Sequence, residues 1–141
     1  MVQEEREELM RLAYEAQALQ QQLQAVSQQV SMLQASSNEI SNAITGLKNL
    51  KNASNSLIPI GSGIYLKAIQ VDASKVLLHA GSEVYTETSV EEAVKILQER
   101  LTANEKLKDR MRNGANEISG RLKAIDDSAR QMMKGMKEEQ E

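Results

Sequence analysis

The stretch that decides the fold lies in the middle of the chain, where residues 57–88 read LIPIGSGIYLKAIQVDASKVLLHAGSEVYTET. It contains the only proline, three of the seven glycines and two of the three tyrosines, together with clusters of β-branched residues. Such runs, bounded by Gly, Pro, Asp and Ser, are typical of short strands joined by turns. Residues 1–52 and 89–141 are instead rich in Gln, Ala, Leu, Glu, Lys and Arg. The sequence therefore predicts one domain, mostly α with a small β region, in the order helix, β region, helix.

Two β-hairpins, built from up to four short strands, are predicted within this β region. The predicted strands occupy residues 57–60, 64–71, 75–79 and 83–86, and the turns between them occupy 61–63, 72–74 and 80–82. Because Pro59 has no backbone N–H, the first strand is confined to a sheet edge or to a strand start.

The β region is apolar on both faces of its strands. Ile64 and Leu66 mark one face, whereas Ile69 and Val71 mark the other. Isolated hairpins are marginal in water, and open strand edges pair readily with another chain. We therefore predict that the hairpins join those of other chains in an intersubunit β-barrel. The predicted assembly residues are Ile58, Ile60, Ile64, Leu66, Ile69, Val71, Val76, Leu78, Val84 and Tyr85.

Both flanking helices carry an apolar seam whose steps alternate between three and four residues. The first seam runs through Leu9, Leu12, Ala16, Leu19, Leu23, Val26, Val30, Leu33, Ser37, Ile40, Ile44 and Leu47. The second runs through Val90, Val94, Leu97, Leu101, Asn104, Lys108, Met111, Ala115, Ile118, Leu122, Ile125, Ala129, Met132 and Met136. A heptad period sustained over this length predicts a long antiparallel two-helix coiled coil. Ser89 and Glu92 predict a capping box at the start of the second helix.

One register brings the two seams together. In an antiparallel pair the numbers of facing residues add to a constant, and a constant of 141 carries the first seam onto the second. It sets Ser37 level with Asn104 and Leu33 opposite Lys108, whose ammonium we expect to reach water. Registers shifted by seven residues remain compatible with the heptad period.

Composition excludes several kinds of chemistry. The 141-residue chain has no cysteine and a single histidine, His79, so disulfides, thiolate zinc sites and multi-histidine metal sites are excluded. Its net charge of -3 opposes nucleic-acid binding. Gly61-Ser62-Gly63 lacks the lysine of a phosphate-binding loop, and no apolar run approaches a membrane span. We expect a soluble, intracellular protein that is not an enzyme.

Residues 57–68, the segment Gly81–Tyr85 with Glu87, and the capped helix from Ser89 resemble the alpha subunits of the prefoldin family. The resemblance covers essentially the whole chain. It implies a hexamer of two alpha and four beta subunits with a double β-barrel platform and six coiled coils. It further implies an ATP-independent cytoplasmic chaperone, without a cofactor, that holds unfolded proteins at the coiled-coil tips and delivers them to a group II chaperonin.

Apolar residues near the two termini are the candidates for binding such clients, because methionine adapts its shape to irregular partners. The candidates are Val2, Leu9, Met10, Leu12, Ile125, Met132, Met133 and Met136. Five of them also lie in the seams, where packing between helices explains them equally well; Met10 and Met133 lie off the seams, and there binding is favoured. The alternative function is a structural or tethering coiled coil that binds no clients. An RNA-binding arm is disfavoured because the first helix has no basic stripe.

Overall fold

The computed structural model describes residues 2–50 and 55–139. The elements are α1 (Val2–Lys48), β1 (Ser56–Gly61), β2 (Ile64–Ala68), β3 (Val76–Gly81), β4 (Val84–Thr88) and α2 (Val90–Glu139). The predicted order of helix, two hairpins and helix is confirmed. The first helix ends at Lys48, earlier than predicted; predicted helix positions 1, 51–52 and 140–141 lie outside the described residues.

The chain forms two compact units. The first unit comprises residues 1–34 and 106–141, and the second comprises residues 35–105. In the first unit the helices run antiparallel, because Gln34 contacts Lys108 whereas Leu9 lines a groove together with Met133. In the second unit Ser36 of α1 likewise contacts Asn104 of α2.

Burial follows the predicted seams along both helices. Every predicted seam position is buried or half-buried, from Leu9 to Leu47 in α1 and from Val90 to Met136 in α2. The most deeply buried apolar seam residues, each 8–9% exposed, are Leu12, Ile44, Leu97 and Ile125. The coiled-coil prediction is confirmed, because the heptad period alone identified which residues turn inward.

Two polar contacts between the helices agree with the predicted register. Asn104 Nδ2 donates to Ser36 Oγ at 3.1 Å, and Lys108 Nζ donates to Gln34 Oε1 at 2.7 Å. Their residue numbers add to 140 and 142, one on either side of the predicted 141 and far from a seven-residue shift. The expectation that the Lys108 ammonium reaches water is wrong: Lys108 is only 4% exposed, because the Gln34 amide holds its ammonium inside the helix pair.

The hairpins form two separate two-stranded antiparallel sheets. Ser56 pairs with Ala68 in the first hairpin and Val76 pairs with Thr88 in the second, so the chain by itself forms no barrel within its described residues. Both turns have two residues with positive φ, Ser62–Gly63 and Ser82–Glu83, as type I′ turns require. Glu83 therefore lies in a turn rather than in the strand predicted for it.

Two predicted assembly residues lie outside the strands. β2 ends at Ala68, so Ile69 and Val71 are not strand residues, and the predicted strand 64–71 is too long. The physical reason within the described residues is that β1 begins at Ser56, the partner of Ala68, and that Asn55 before it has a positive φ of 64°, which is not a strand conformation. The predicted turn at 72–74 is confirmed.

That turn is held by an aspartate. The Asp72 carboxylate accepts hydrogen bonds from Ser74 N–H at 2.9 Å and from Ser74 Oγ at 2.6 Å, which makes an Asx turn. These hydrogen bonds lower the pKa of the Asp72 carboxyl, because they favour its ionised form.

The start of α2 is capped as predicted. Ser89 Oγ accepts a hydrogen bond from Glu92 N–H at 3.1 Å, and Ala93 N–H donates to the Ser89 carbonyl at 3.0 Å. A serine at this position satisfies one of the N–H groups that a helix start leaves without an intrahelical acceptor. The strand-to-helix junction after β4 is therefore specified locally by the sequence.

Candidate functional site: two apolar surfaces

The hairpins expose a set of large apolar side chains, which we call the hairpin surface. Its members, 46–68% exposed, are Leu57, Ile58, Ile60, Ile64, Tyr65, Leu66, Leu77, Val84 and Tyr85. On the first hairpin these residues occupy both faces, since neighbours along one strand point to opposite sides. A two-stranded sheet that is apolar and exposed on both faces lacks a core of its own, so this surface is suited to pairing with another chain.

Six of the predicted assembly residues belong to the hairpin surface: Ile58, Ile60, Ile64, Leu66, Val84 and Tyr85. Val76 and Leu78 do not, because they are half-buried and line a groove with helix residues of the same unit, among them Ala93 and Leu97. Arg100 Nη2 also donates to the His79 carbonyl at 3.0 Å. One side of β3 therefore lies against helix residues of the same unit. His79 is a strand residue whose ring packs edge-on against the ring of Tyr85.

Sequence reasoning missed that the two hairpins are a repeat offset by 20 residues. Residues 57–68 and 77–88 pair in the same register, with Gly61 and Gly81 at matching bulges and Tyr65 and Tyr85 at matching positions. The signal was present as Gly-Ser followed two residues later by a β-branched residue and Tyr. Leu57, Tyr65 and Leu77 are absent from the predicted assembly residues. The repeat indicates them, because they lie on the second face of these strands.

A second apolar surface lies in the first unit, near the beginning of α1 and the end of α2. We call it the terminal surface and define it by Val2, Met10, Tyr14 and Met133, which are 44%, 59%, 69% and 54% exposed. Val2 and Met10 line one recess on α1, and Tyr14 follows Met10 by four residues, so Met10 and Tyr14 are neighbours on one face of the helix. Tyr14 was missed by sequence reasoning, although its position one turn after Met10 was a signal for it.

The other predicted client residues lie in the seam. Leu12 and Ile125 are each only 8% exposed, so helix packing removes them from the surface. Leu9, Met132 and Met136 are half-buried. The structure thus separates the candidates by exposure, as the seam positions indicated: Met10 and Met133 are available to a partner, as is Val2, whereas the seam residues hold the two helices together.

An apolar groove between the helices adjoins Met133. Its apolar lining is Leu9, Leu12, Ala13, Ala16, Leu122, Ile125, Ala129 and Met133. Three of these residues are alanines, whose short side chains leave open space beside the larger leucine and isoleucine. The terminal surface therefore has an apolar recess next to it.

Ion pairs also lie beside the seam of this unit, where Arg11, Glu15 and Arg121 adjoin Leu12 and Ile125. Glu15 accepts from Arg121 Nε at 2.7 Å across the helix pair, and Arg11 donates to Glu8 at 3.0 Å along α1. The Arg11 hydrogen bond lowers the pKa of Glu8, and Glu8 in turn raises the pKa of Arg11. Because such exposed pairs contribute little stability, the apolar seam rather than these pairs holds the two helices together.

A metal ion has no side-chain cluster to hold it in the part of the chain that the structure describes. Within residues 2–50 and 55–139, no group of three or more His, Cys, Asp or Glu side chains is placed to hold a metal ion. Asp126, one of two adjacent aspartates, pairs with Arg130 at 3.2 Å. Over the same residues, neither helix has a segment long and apolar enough to cross a membrane.

Comparison with known proteins decides the family. The family model described as "Prefoldin subunit" matches residues 19–135. The chain belongs to the prefoldin family. It is 37% identical over 98 residues to the prefoldin subunit alpha of Pyrococcus horikoshii, a match covering 67% of this chain and 66% of that protein. It is 31% identical to the prefoldin subunit alpha of Thermofilum pendens, over 85% of this chain and 95% of that one.

A solved structure confirms the fold of this prefoldin subunit. A chain of the cryo-EM structure of filamentous PFD from Methanocaldococcus jannaschii superposes with a TM-score of 0.70 and covers 82% of this chain and 98% of that chain. At 19% identity this likeness concerns the fold alone. The resemblance to alpha subunits is confirmed, and family membership supports a prefoldin chaperone role.

Proposed function

We propose that this chain is the alpha subunit of an ATP-independent holdase that binds unfolded polypeptides at its terminal surface. The observation that carries this proposal is the exposure of Val2, Met10, Tyr14 and Met133 outside the packing seam. The seam explains Leu12 and Ile125, whereas the four side chains of the terminal surface are 44% exposed or more, so packing between the helices accounts for them only in part. Clustered exposed apolar residues are typical of interaction sites.

The chemistry of this surface suits clients of no fixed sequence. Methionine is unbranched and polarisable, so its side chain adapts to partners of different shape. Full burial of one such side chain is worth about 1.5–3 kcal/mol. A client covering two or three of them is held with modest affinity, and it is released without nucleotide hydrolysis.

Assembly through the hairpin surface is the second part of the proposal. The hairpins pair with those of prefoldin beta subunits in an intersubunit β-barrel, within a hexamer of two alpha and four beta subunits. Support comes from the open edges of both two-stranded sheets and from the exposed apolar residues on both faces of the first hairpin. Family membership favours a cytoplasmic complex that hands its clients to a group II chaperonin.

Suppression of client aggregation tests the holdase. The chain is assembled with its beta partner, and light scattering is followed as a denatured client is diluted in without nucleotide. The variant is Met10→Gln/Met133→Gln, and the matched control is Met32→Gln, which alters a 72% exposed methionine of α1 outside the terminal surface. Glutamine preserves length and helix propensity. Assembly size is checked for every complex.

The expected result is that the wild type and Met32→Gln suppress scattering whereas Met10→Gln/Met133→Gln suppresses it several-fold less. Equal suppression by all three complexes would place client binding elsewhere. If the intact complex suppresses nothing, the chain acts as a structural or tethering coiled coil.

A further inference from the structure

The chain carries its sulfur chemistry entirely on methionine. It has seven methionines and no cysteine, so thiol oxidation is impossible and the thioethers are the only sulfur groups that a mild oxidant can reach. Two of the exposed methionines, Met10 and Met133, belong to the terminal surface. Of the three methionines that are exposed among the described residues, two therefore lie where the client is proposed to bind, and the third, Met32, lies apart from them.

We propose that Met10 and Met133 are an oxidation site at which peroxide converts the thioethers to sulfoxides and thereby releases the client. This inference rests on the proposed function, because it concerns the regulation of the same surface. The thioether sulfur attacks one peroxide oxygen, the O–O bond breaks and an S–O bond forms. The transferred oxygen gives up its proton to the other oxygen, which leaves as water; the sulfur has lost two electrons, and the peroxide has gained them. The product is polar and chiral where the reactant was apolar and flexible.

Exposure decides which methionines react first. The Met10 and Met133 side chains are 59% and 54% exposed, whereas Met111, Met132 and Met136 are half-buried in the seam. Susceptibility to oxidation follows access. Since Met10 and Met133 lie outside the seam, their sulfoxides leave the helix pair intact, and the change is confined to the surface.

Met32 provides an internal control for this selectivity. It is 72% exposed, so it oxidises as readily as the two terminal-surface methionines. It also lies 22 residues along α1 from Met10, roughly 33 Å at the helical rise per residue. Oxidation of Met32 is therefore expected to leave client binding as it was.

The test treats the assembled complex with hydrogen peroxide, locates sulfoxides by peptide mass spectrometry and measures suppression of client aggregation before and after treatment. Every complex is compared with its own untreated sample, so a failure of the holdase itself is seen first and separately. The variants are Met10→Leu/Met133→Leu and Met32→Leu, each assembled with the same beta partner.

We expect suppression by the wild type to fall several-fold once residues 10 and 133 are oxidised, and methionine sulfoxide reductases to restore it. Met32→Leu shows the same fall, whereas the treated-to-untreated ratio of Met10→Leu/Met133→Leu stays near one. The proposal is overturned if wild type oxidised at both positions keeps its suppression. It is equally overturned if Met10→Leu/Met133→Leu loses as much as wild type, since the sensitive groups then lie elsewhere in the complex. A complex inactive before treatment refutes both the holdase and its regulation.

Discussion

Replacing Gln34 by leucine removes one acceptor of a buried ammonium, and we expect this change to destabilise the helix pair of the first unit. Lys108 is 4% exposed, and its Nζ lies 2.7 Å from Gln34 Oε1. A hydrogen bond to a charged group contributes about 1.5–3 kcal/mol, more than a bond between neutral groups. Gln34→Leu is therefore expected to lower the free energy of unfolding by about 2 kcal/mol.

Replacing both partners has a smaller effect than replacing either one alone. Lys108→Met alone takes this donor away from the part-buried Gln34 Oε1 and is expected to cost about 1–3 kcal/mol, whereas apolar groups in place of both partners of a buried hydrogen bond can be nearly neutral. In the double variant Gln34→Leu/Lys108→Met the leucine no longer faces an ammonium, so most of the cost of Gln34→Leu disappears. The non-additivity of the two changes isolates the interaction between the pair.

Urea denaturation of the assembled complex, followed by the helical circular dichroism signal, measures these differences. All complexes are compared at one total concentration, because the stability of an assembly depends on it. With a slope of about 2 kcal/mol per molar urea, the midpoint of Gln34→Leu falls by about 1 M. Gln29→Leu, at an exposed glutamine of the same helix, serves as the matched control. An unchanged midpoint for Gln34→Leu, or additive effects in the double variant, would refute the reasoning.

Three further predictions concern local features of the fold: a helix cap, a turn glycine and an Asx turn. Ser89→Ala removes the acceptor for Glu92 N–H and is expected to lower stability by about 1 kcal/mol, seen as a lower thermal midpoint; an unchanged midpoint would contradict the cap. Gly63→Ala places a side chain at φ 76° and costs about 1–2 kcal/mol, so the β1–β2 amides exchange faster with deuterium while those of β3–β4 serve as the control. Because the folded-state pKa of Asp72 is lowered, its turn contributes stability above the unfolded value of 3.8 and loses it as pH falls through the folded pKa. The Ser74 amide NMR signal is expected to shift as Asp72 titrates. In the control variant Asp72→Ala the signal is expected not to change with pH, and the same pH-independence in the wild type would contradict the prediction.

The helices could be predicted from the sequence because their signal is local and repeated. Each heptad gives the same information about which residues turn inward, and a single register matches the polar positions Ser37 and Asn104. The end of β2 could not be predicted in this way. Ile69 and Val71 have strand propensity, but a strand extends only as far as its partner, and β1 begins opposite Ala68. Propensity describes the residue, whereas pairing depends on both chain segments.

The same distinction, between what a sequence pattern predicts and what depends on contacts across the fold, applies to the two apolar surfaces and to the helix pair. Met10 and Met133 were identified because they are apolar residues off the seam, which is a property of the sequence pattern. The burial of Lys108 was not foreseen, because it depends on the hydrogen bond from its ammonium to the Gln34 side chain across the helix pair. Likewise, only the structure shows that Val76 and Leu78 are half-buried and line a groove with helix residues.

Site-specific photo-crosslinking tests the central claim, client binding at the terminal surface, most directly. A benzophenone side chain is placed at position 10, 133 or 32 of the chain in the assembled complex, and a denatured client is captured under light. The account predicts client crosslinks from positions 10 and 133 and few or none from position 32, although Met32 is the most exposed of the three methionines. Equal crosslinking from all three positions, or crosslinking mainly from position 32, would contradict it.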